Sequence, residues 1–244
     1  ASDVVSTIAV MFGVNMSAKK SDSSHPYGHE RIESIFSIIL AMMLFITGLG
    51  IGITAVKTII SGAEIAIPGK MTLVAAIISI AVKEWMYHFT KRTAIKIDSS
   101  SLLADAWHHR SDALSSIGSL IGIGGALLGF KICEPIASIV ICIFIAKASI
   151  EIFMDAVNRL IDHACSDEEI EEIRKYIMEI DGVKRIDSLM TRRFGSKIYV
   201  DLEIAEDPDI TLREAHDIAE RVHDNIENKI ENIKHCMIHV NPMQ

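Results

Sequence analysis

The stretch IFSIILAMMLFITGLGIGITAV, residues 35–56, decides the fold class because it contains no charged side chain. A helix needs ~20 largely apolar residues to cross a bilayer, and this stretch is long enough. A second apolar run covers residues 132–146 and continues as a mixed stretch to Leu160, whereas residues 71–90 and 101–128 mix apolar with polar positions. Several separate long stretches of this kind predict a bundle of transmembrane helices rather than one membrane anchor.

The glycines inside these stretches also favour a packed bundle. Small residues let helices approach each other closely in lipid. The glycines inside the apolar stretches are Gly48, Gly50, Gly52, Gly118, Gly122, Gly124 and Gly125. The apolar start of the chain, Val4 to Met16, is too short to cross alone. We expect it to be the end of a helix whose beginning lies before the first residue.

Charge divides the 244 residues into two parts. Residues 1–160 carry 13 Lys and Arg against 12 Asp and Glu, while residues 161–244 carry 11 against 20. The first part is apolar and nearly neutral, and the second is acidic and water-soluble. No basic face is present, which argues against nucleic-acid binding. The four cysteines lack the CxxC spacing, so we expect reduced, mostly buried thiols.

Basic residues in the loops indicate the orientation in the membrane. The 17–31 loop carries Lys19, Lys20 and Arg31, and the 91–100 loop carries three more basic residues. Arg159 lies at the end of the last apolar stretch. Cytoplasmic loops are enriched in Lys and Arg, which places these loops and the acidic tail in the cytoplasm of a multi-pass protein, expected in the plasma membrane.

The tail, residues 163–244, predicts a small α+β domain that follows a membrane domain at residues 1–162. Ser166 and Glu169 form a capping box that opens a helix to about Ile180, and Thr211 and Glu214 open a second helix to about Ile230. Residues 183–193 and 196–205 alternate around Gly195-Ser196 as a hairpin, and 235–240 form a last strand. The order α-β-β-α-β predicts an open sheet covered by helices on one face.

The densest group of ionisable residues within a predicted span is Asp105-Ala-Trp-His108-His109-Arg110-Ser-Asp112. His108 and Asp112 are four residues apart, so a helix projects both from one face. An imidazole and a carboxylate supply half of a tetrahedral metal site, and a second helix must supply the rest. Asp3 is the acidic candidate on the first helix. The alternative is a polar, solvated shoulder of the helix in which Asp pairs with Arg.

A second polar group lies in the loop Asp22-Ser-Ser-His25-Pro-Tyr-Gly-His29. Asp22, His25 and His29 are three possible metal ligands within eight residues, and Pro26 and Gly28 favour a turn. The alternative is a solvated polar loop. Hydrolysis is not indicated, because His29-Glu30 does not continue as the HExxH motif of metalloproteases.

Taken together, these residues resemble the cation diffusion facilitator family of dimeric divalent-metal/proton antiporters, over the whole chain. The resemblance implies six transmembrane helices in the complete protein and a transport site that contains Asp3, His108 and Asp112. It also implies that Asp22, His25 and His29 form a loop metal site, and that Arg31 and Asp162 form a cytoplasmic ion pair that steadies the dimer.

The tail is similar to the ferredoxin-like, metallochaperone-like regulatory domain of that family, which binds metal at the dimer interface. The positions carried over are Asp201, His216 and His239. Asp187 stands where some zinc members have His, and Asn241 where they have Asp, which favours fewer or differently bound ions. The alternatives are an exposed helical residue for His216 and a structural histidine for His239.

The resemblance implies a homodimeric secondary transporter, not an enzyme, that exports a divalent cation and is regulated by metal at its cytoplasmic domain. One histidine among carboxylates favours Zn²⁺, while Mn²⁺ and Fe²⁺ stay open. Protons compete with the ion for the same ligands, which provides an exchange mechanism. The alternative from another class is a membrane metal sensor that does not transport.

Overall fold

A computed structural model of the protein describes residues 2–62, 70–127, 130 and 132–243. The chain forms two compact units, Ala1–Val157 and Asn158–Gln244. The predicted domain boundary after residue 162 lies in the turn that follows the last helix of the apolar region. Each unit has its own hydrophobic core.

The first unit is helical, as the apolar stretches predict. Its helices are α1 (Ser2–Ser17), α2 (Arg31–Ser61), α3 (Lys70–Lys96), α4 (Ser100–Leu127) and α5 (Cys133–Leu160), the last of which ends in the second unit. Among the described residues, α2 and α5 are the helices long and apolar enough to cross a membrane by length and composition. Helices α3 and α4 carry charged residues in their middle turns, which lowers their apolar character.

The core of the first unit lies between α1, α2, α4 and α5. Its most buried side chains include Val10, Leu44, Ala104 and Ile145, each no more than 4% exposed. Large apolar side chains on the outer surface stay exposed. They include Ile46, Ile53, Phe89, Ile143 and Phe144. An exposed apolar surface of this kind is expected where helices face lipid.

Glycines bring α5 close to both α2 and α4. A Cβ atom at Gly48 would lie 2.7 Å from Cγ2 of Ile145, and one at Gly118 would lie 2.8 Å from Cδ1 of Ile141. At Gly48 the Cβ atom of Ile145 is also only 3.2 Å away, so a side chain there requires a shift, whereas at Gly118 the end of the flexible Ile141 side chain can move aside. At Gly50 and Gly124 a Cβ atom would meet no other atom within 4 Å, so this requirement does not extend to them.

A buried polar network joins the first turns of α2 and α4. The carboxylate of Glu33 accepts hydrogen bonds from the hydroxyls of Ser99 and Ser101, the latter at 3.2 Å. All three residues are at most 5% exposed. Buried polar groups must be satisfied inside the protein, so this network fixes how the two helix ends meet.

Replacement of Glu33 by alanine is expected to lower the free energy of unfolding of the first unit by about 2–6 kcal/mol, because two buried hydroxyls lose their acceptor at about 1–3 kcal/mol each. Thermal unfolding in detergent measures this loss. Glu33→Gln is the matched control, since its amide oxygen still accepts, and it should lose clearly less. Equal stability of Glu33→Ala and the unsubstituted protein would contradict the structural role of the network.

The second unit has the predicted order of elements. They are α6 (Asp167–Met178), β1 (Arg185–Phe194), β2 (Lys197–Glu206), α7 (Leu212–Lys229) and β3 (Ile233–Pro242). Both predicted capping boxes are present, at Ser166 and Thr211. Gly195, with φ +63°, allows the tight turn between β1 and β2. Helix α6 ends at Met178, two residues before the predicted Ile180. Strand β3 extends beyond the predicted range 235–240 at both ends.

The sheet has the order β1-β2-β3, with β1 antiparallel and β3 parallel to β2. Both helices cover one face, and the core contains Ile173, Ile177, Leu202, Ile204, Val222 and Ile226. The other face therefore carries the alternate residues of β2 and β3, among them Asp201 and His239. Strand β3 is an edge strand, which explains how it accommodates Pro242 at its end.

All four cysteines are free thiols, as predicted. Cys165 and Cys236 are buried, while Cys133 and Cys142 are partly exposed. Burial raises the pKa of the Cys236 thiol to about 12, so this thiol stays protonated at neutral pH.

Candidate metal sites

The two imidazoles of α4 near Asp112 are shielded from the surroundings, whereas the Asp112 side chain is 32% exposed. His108 is 7% exposed and the neighbouring His109 is 2% exposed. A solvated shoulder of the helix would leave these imidazoles in contact with water. Their burial therefore favours a site in the interior over the alternative of a polar shoulder.

Asp112 forms an ion pair with a residue to which the sequence pattern assigned no role. Lys83 on α3 donates from Nζ to Oδ2 of Asp112 at 2.9 Å. Next to it, Glu84 lies 3.8 Å from the guanidinium of Arg110. The alternative interpretation of the sequence paired an Asp with an Arg inside this stretch. In the structure Asp112 pairs with Lys83 and Arg110 with Glu84, both on α3. The sequence contains a signal for this ion pair, because the charge of Lys83 inside an apolar stretch requires a partner.

A second imidazole–carboxylate pair lies one turn earlier on α4. Nε2 of His109 is 3.5 Å from Oδ2 of Asp105, and both side chains are less than one-tenth exposed. Within the described part of the chain, Nδ1 of His109 and Oδ1 of Asp105 are buried without a hydrogen-bond partner. The polar stretch therefore presents one buried His–Asp pair, at positions 105 and 109, whereas Asp112 is 32% exposed and pairs with Lys83.

The predicted ligand Asp3 lies on α1, which packs against α2 and α4. Its side chain lies outside the described side chains, and its place beside His108 and Asp112 stays a prediction. Ser6, three residues further along α1, is 2% exposed. The face of α1 that carries Ser6 is therefore directed into the unit.

The structure brings the three predicted loop ligands together. Nδ1 of His25 is 3.3 Å from Oδ1 of Asp22, and Nε2 of His29 is 3.6 Å from Oδ2 of the same carboxylate. One ligand atom from each of the three side chains lies within 4.8 Å of the others. The side chain of His29 is 5% exposed, which a solvated loop would not produce.

Neighbouring groups hold Asp22 in its ionised form. A hydrogen bond from Lys19 and backbone amides of the turn hold the pKa of the Asp22 carboxyl well below its usual range. The amides of Ser24 and His25 donate to Oδ1 at 3.0 and 2.8 Å, which fixes the carboxylate against the turn. The loop is therefore organised around an anionic centre that can accept a cation.

The residues predicted for the cytoplasmic site do not form one cluster within the chain. Asp201 and His239 lie on β2 and β3, on the sheet face away from the helices, whereas His216 lies on α7 and its side chain is 68% exposed. Asp201 lies 3.9 Å from Arg192. The prediction placed this site at an interface between two chains, and within one chain its residues stay separate.

The two departures from the zinc-type pattern contact each other. The amide of Asn241 donates to Asp187 at 3.1 Å and to Glu203 at 3.3 Å. A hydrogen bond from Arg185 lowers the pKa of Asp187. An amide donor thus contacts both carboxylates, and fewer or differently bound ions at this position stay a prediction.

Arg31 and Asp162, the predicted ion pair, belong to different compact units. Arg31 is the first residue of α2. Asp162 lies in the turn after α5 and adopts a left-handed conformation with φ +60°, which Asp tolerates better than most residues. Their pairing stays a prediction.

Residues 1–161 match the family model described as cation efflux transmembrane domain, and residues 165–243 match the model described as cation efflux protein, cytoplasmic domain. An uncharacterized transporter of Methanocaldococcus jannaschii is 36% identical over 98% of this chain and 84% of its own length. Manganese efflux system protein MneP of Bacillus subtilis is 32% identical over 99% of the chain and 83% of its length. Metal tolerance protein C1 of Arabidopsis thaliana is 33% identical over 99% of the chain, which spans only 54% of that protein.

Proposed function

We propose that this chain, a member of the cation diffusion facilitator family of membrane cation-efflux proteins, exports a divalent metal ion in exchange for protons. Zn²⁺ is the favoured ion. The observation that carries the proposal is the face of α4 with the buried imidazole of His108 and, one turn further, the partly exposed carboxylate of Asp112. Imidazole and carboxylate together suit a borderline cation such as Zn²⁺.

Asp3 on α1 is proposed to complete this side of the transport site, because α1 packs on α4. The ammonium group of Lys83 contacts the Asp112 carboxylate at 2.9 Å, so a divalent ion that binds this carboxylate must displace it. Ligands bind metal only when the imidazole is neutral and the carboxylates are ionised, so metal affinity must decrease as the pH decreases. Protons that arrive from the outer side then compete with the ion and release it.

The second unit, hereafter the cytoplasmic unit, is proposed to act as a dimerisation and sensing domain. Asp201, His216 and His239 would bind metal only when two chains meet, which agrees with their separation within one chain. The Asp22, His25 and His29 cluster is proposed as an additional ion site next to the first turn of α2. Arg31 and Asp162 are proposed to steady the dimer as an ion pair.

Manganese is the second candidate ion, favoured by the relative from Bacillus subtilis whose name states manganese efflux. Carboxylates suit Mn²⁺, but the imidazole of His108 favours Zn²⁺. The two ions can be separated by transport measurements on the same preparation.

Inside-out vesicles from cells that express the protein test the proposal. We expect uptake of radioactive Zn²⁺ that exceeds uptake of Mn²⁺ and Fe²⁺, and that stops when an ionophore removes the imposed pH gradient. Faster uptake of Mn²⁺ would overturn the assignment of zinc, and uptake that ignores the pH gradient would overturn proton exchange. No uptake of any ion, with metal binding retained, would favour a sensor that does not transport.

A further inference from the structure

We propose that His223, Glu227 and His235 of the cytoplasmic unit form a metal site of their own, for a borderline divalent cation such as Zn²⁺. His223 and Glu227 lie one turn apart on α7, and His235 lies near the start of the edge strand β3. The inference goes beyond the proposed function, because it requires neither efflux nor a second chain.

The distances from Glu227 to the two histidines match those between ligands of a tetrahedral metal site. Oε1 of Glu227 lies 3.2 Å from Nε2 of His223 and 3.4 Å from Nδ1 of His235. Bonds of ~2.0–2.1 Å from a tetrahedral Zn²⁺ to N and O ligands imply ~3.3 Å between ligand atoms. Glu227 therefore stands at this separation from both imidazoles, and the ligand atoms of all three side chains lie within 4.8 Å of one another.

Hydrogen bonds to the backbone of Cys236 orient two of the ligands. Nδ1 of His223 contacts the carbonyl oxygen of Cys236 at 2.9 Å, and a carbonyl only accepts. Nδ1 must therefore carry the proton when the imidazole is neutral, which leaves the lone pair on Nε2, the atom that faces Glu227. The amide of Cys236 donates to Oε1 of Glu227 at 3.0 Å and holds the carboxylate in place. Such partners are typical of metal ligands.

The site is open enough for an ion and its water to enter. A groove of about 200 Å³ lies beside it and is lined by residues of α7 and β3, including His216, His223 and His235. The ligand side chains are between 28% and 46% exposed. Water can therefore occupy the remaining coordination positions. Cys236 does not contribute, because its side chain is 1% exposed and packs in the core.

The site differs from the predicted site at the dimer interface. Asp201 pairs with Met237 and His239 with Glu203, and both pairs lie further along the sheet than the pair of Tyr199 and His235. Two imidazoles and one carboxylate favour Zn²⁺ over Mn²⁺. An ion here would link α7 to β3, and would stabilise the cytoplasmic unit because it binds the folded form only.

Cobalt binding to the detergent-purified full chain tests this site, since Co²⁺ replaces Zn²⁺ and its visible absorption reports tetrahedral geometry. We expect His223→Ala and Glu227→Gln each to bind about one Co²⁺ less per chain, as expected when a ligand of one site is removed. The intensity of the tetrahedral absorption should fall in parallel. His163→Ala is the matched control, since His163 contacts the carbonyl of Ala164 and lies outside the cluster.

Glu227→Gln retains an oxygen that accepts from the amide of Cys236, so it decides the question if His223→Ala does not fold. An unchanged Co²⁺ ratio and an unchanged absorption in folded Glu227→Gln would overturn the proposal. Because the readout is binding, a protein without efflux activity could still confirm the site, and an active transporter could still lack it.

Discussion

Metal uptake by the inside-out vesicles is expected to fall to background when Asp112 is replaced by alanine. Loss of an outer partner of a metal ligand costs about 10- to 100-fold in affinity, so loss of a ligand itself should cost at least about 100-fold. The substitution also removes the carboxylate that pairs with Lys83 at 2.9 Å. Uptake of labelled Zn²⁺ over a fixed interval measures the effect.

Two further variants separate a lost ligand from a damaged fold. Asp112→Asn keeps an oxygen that can accept from Lys83, yet it should lose uptake nearly as completely, because a neutral amide is a poor ligand. Glu151→Gln removes a charge from an exposed position of α5 that pairs with Lys147, and it should retain uptake. Normal uptake by folded Asp112→Ala would remove this residue from the transport site.

Replacement of Gly48 by leucine is expected to cause the second large effect, a loss of about 3 kcal/mol or more in the stability of the first unit. The first side-chain carbon would lie 2.7 Å from Cγ2 and 3.2 Å from Cβ of Ile145. Ile145 is 1% exposed, so its side chain has little room to adjust. Helices α2 and α5 would have to separate. Thermal unfolding in detergent measures the loss.

Gly50 offers a matched control on the same helix. A side chain there meets nothing within 4 Å, so Gly50→Leu should be neutral or slightly stabilising, because leucine is a better helix former than glycine. If Gly48→Leu and Gly50→Leu unfold at the same temperature, close packing of α5 on α2 is wrong.

Most of the fold could be predicted because its signals are local. The length of residues 35–56 predicts a spanning helix without knowledge of its neighbours. Both capping boxes and the turn at Gly195 place the elements of the cytoplasmic unit within two or three residues. The fold class and the resemblance to the cation diffusion facilitator family are confirmed. The metal and the proton exchange stay proposals.

The sites were harder to predict because they depend on contacts between elements. The pair of Lys83 and Asp112 requires the relative rotation of α3 and α4, which no local pattern specifies. Glu227 and His235 lie on opposite sides of a turn, and their meeting depends on how the edge strand runs beside α7. By contrast, Asp22, His25 and His29 lie within one loop, and their grouping followed from spacing.

The ion pair of Lys83 and Asp112 also bears on the unloaded carrier. A lone carboxylate in a medium of low polarity would be costly, and a partner of opposite charge offsets much of that cost. Under the proposed cycle, the protein that has released its cargo would thus hold Asp112 as part of a neutral couple. The conformational change that returns the empty carrier to its starting state would then cost less desolvation energy than it would with an unpaired Asp112 carboxylate.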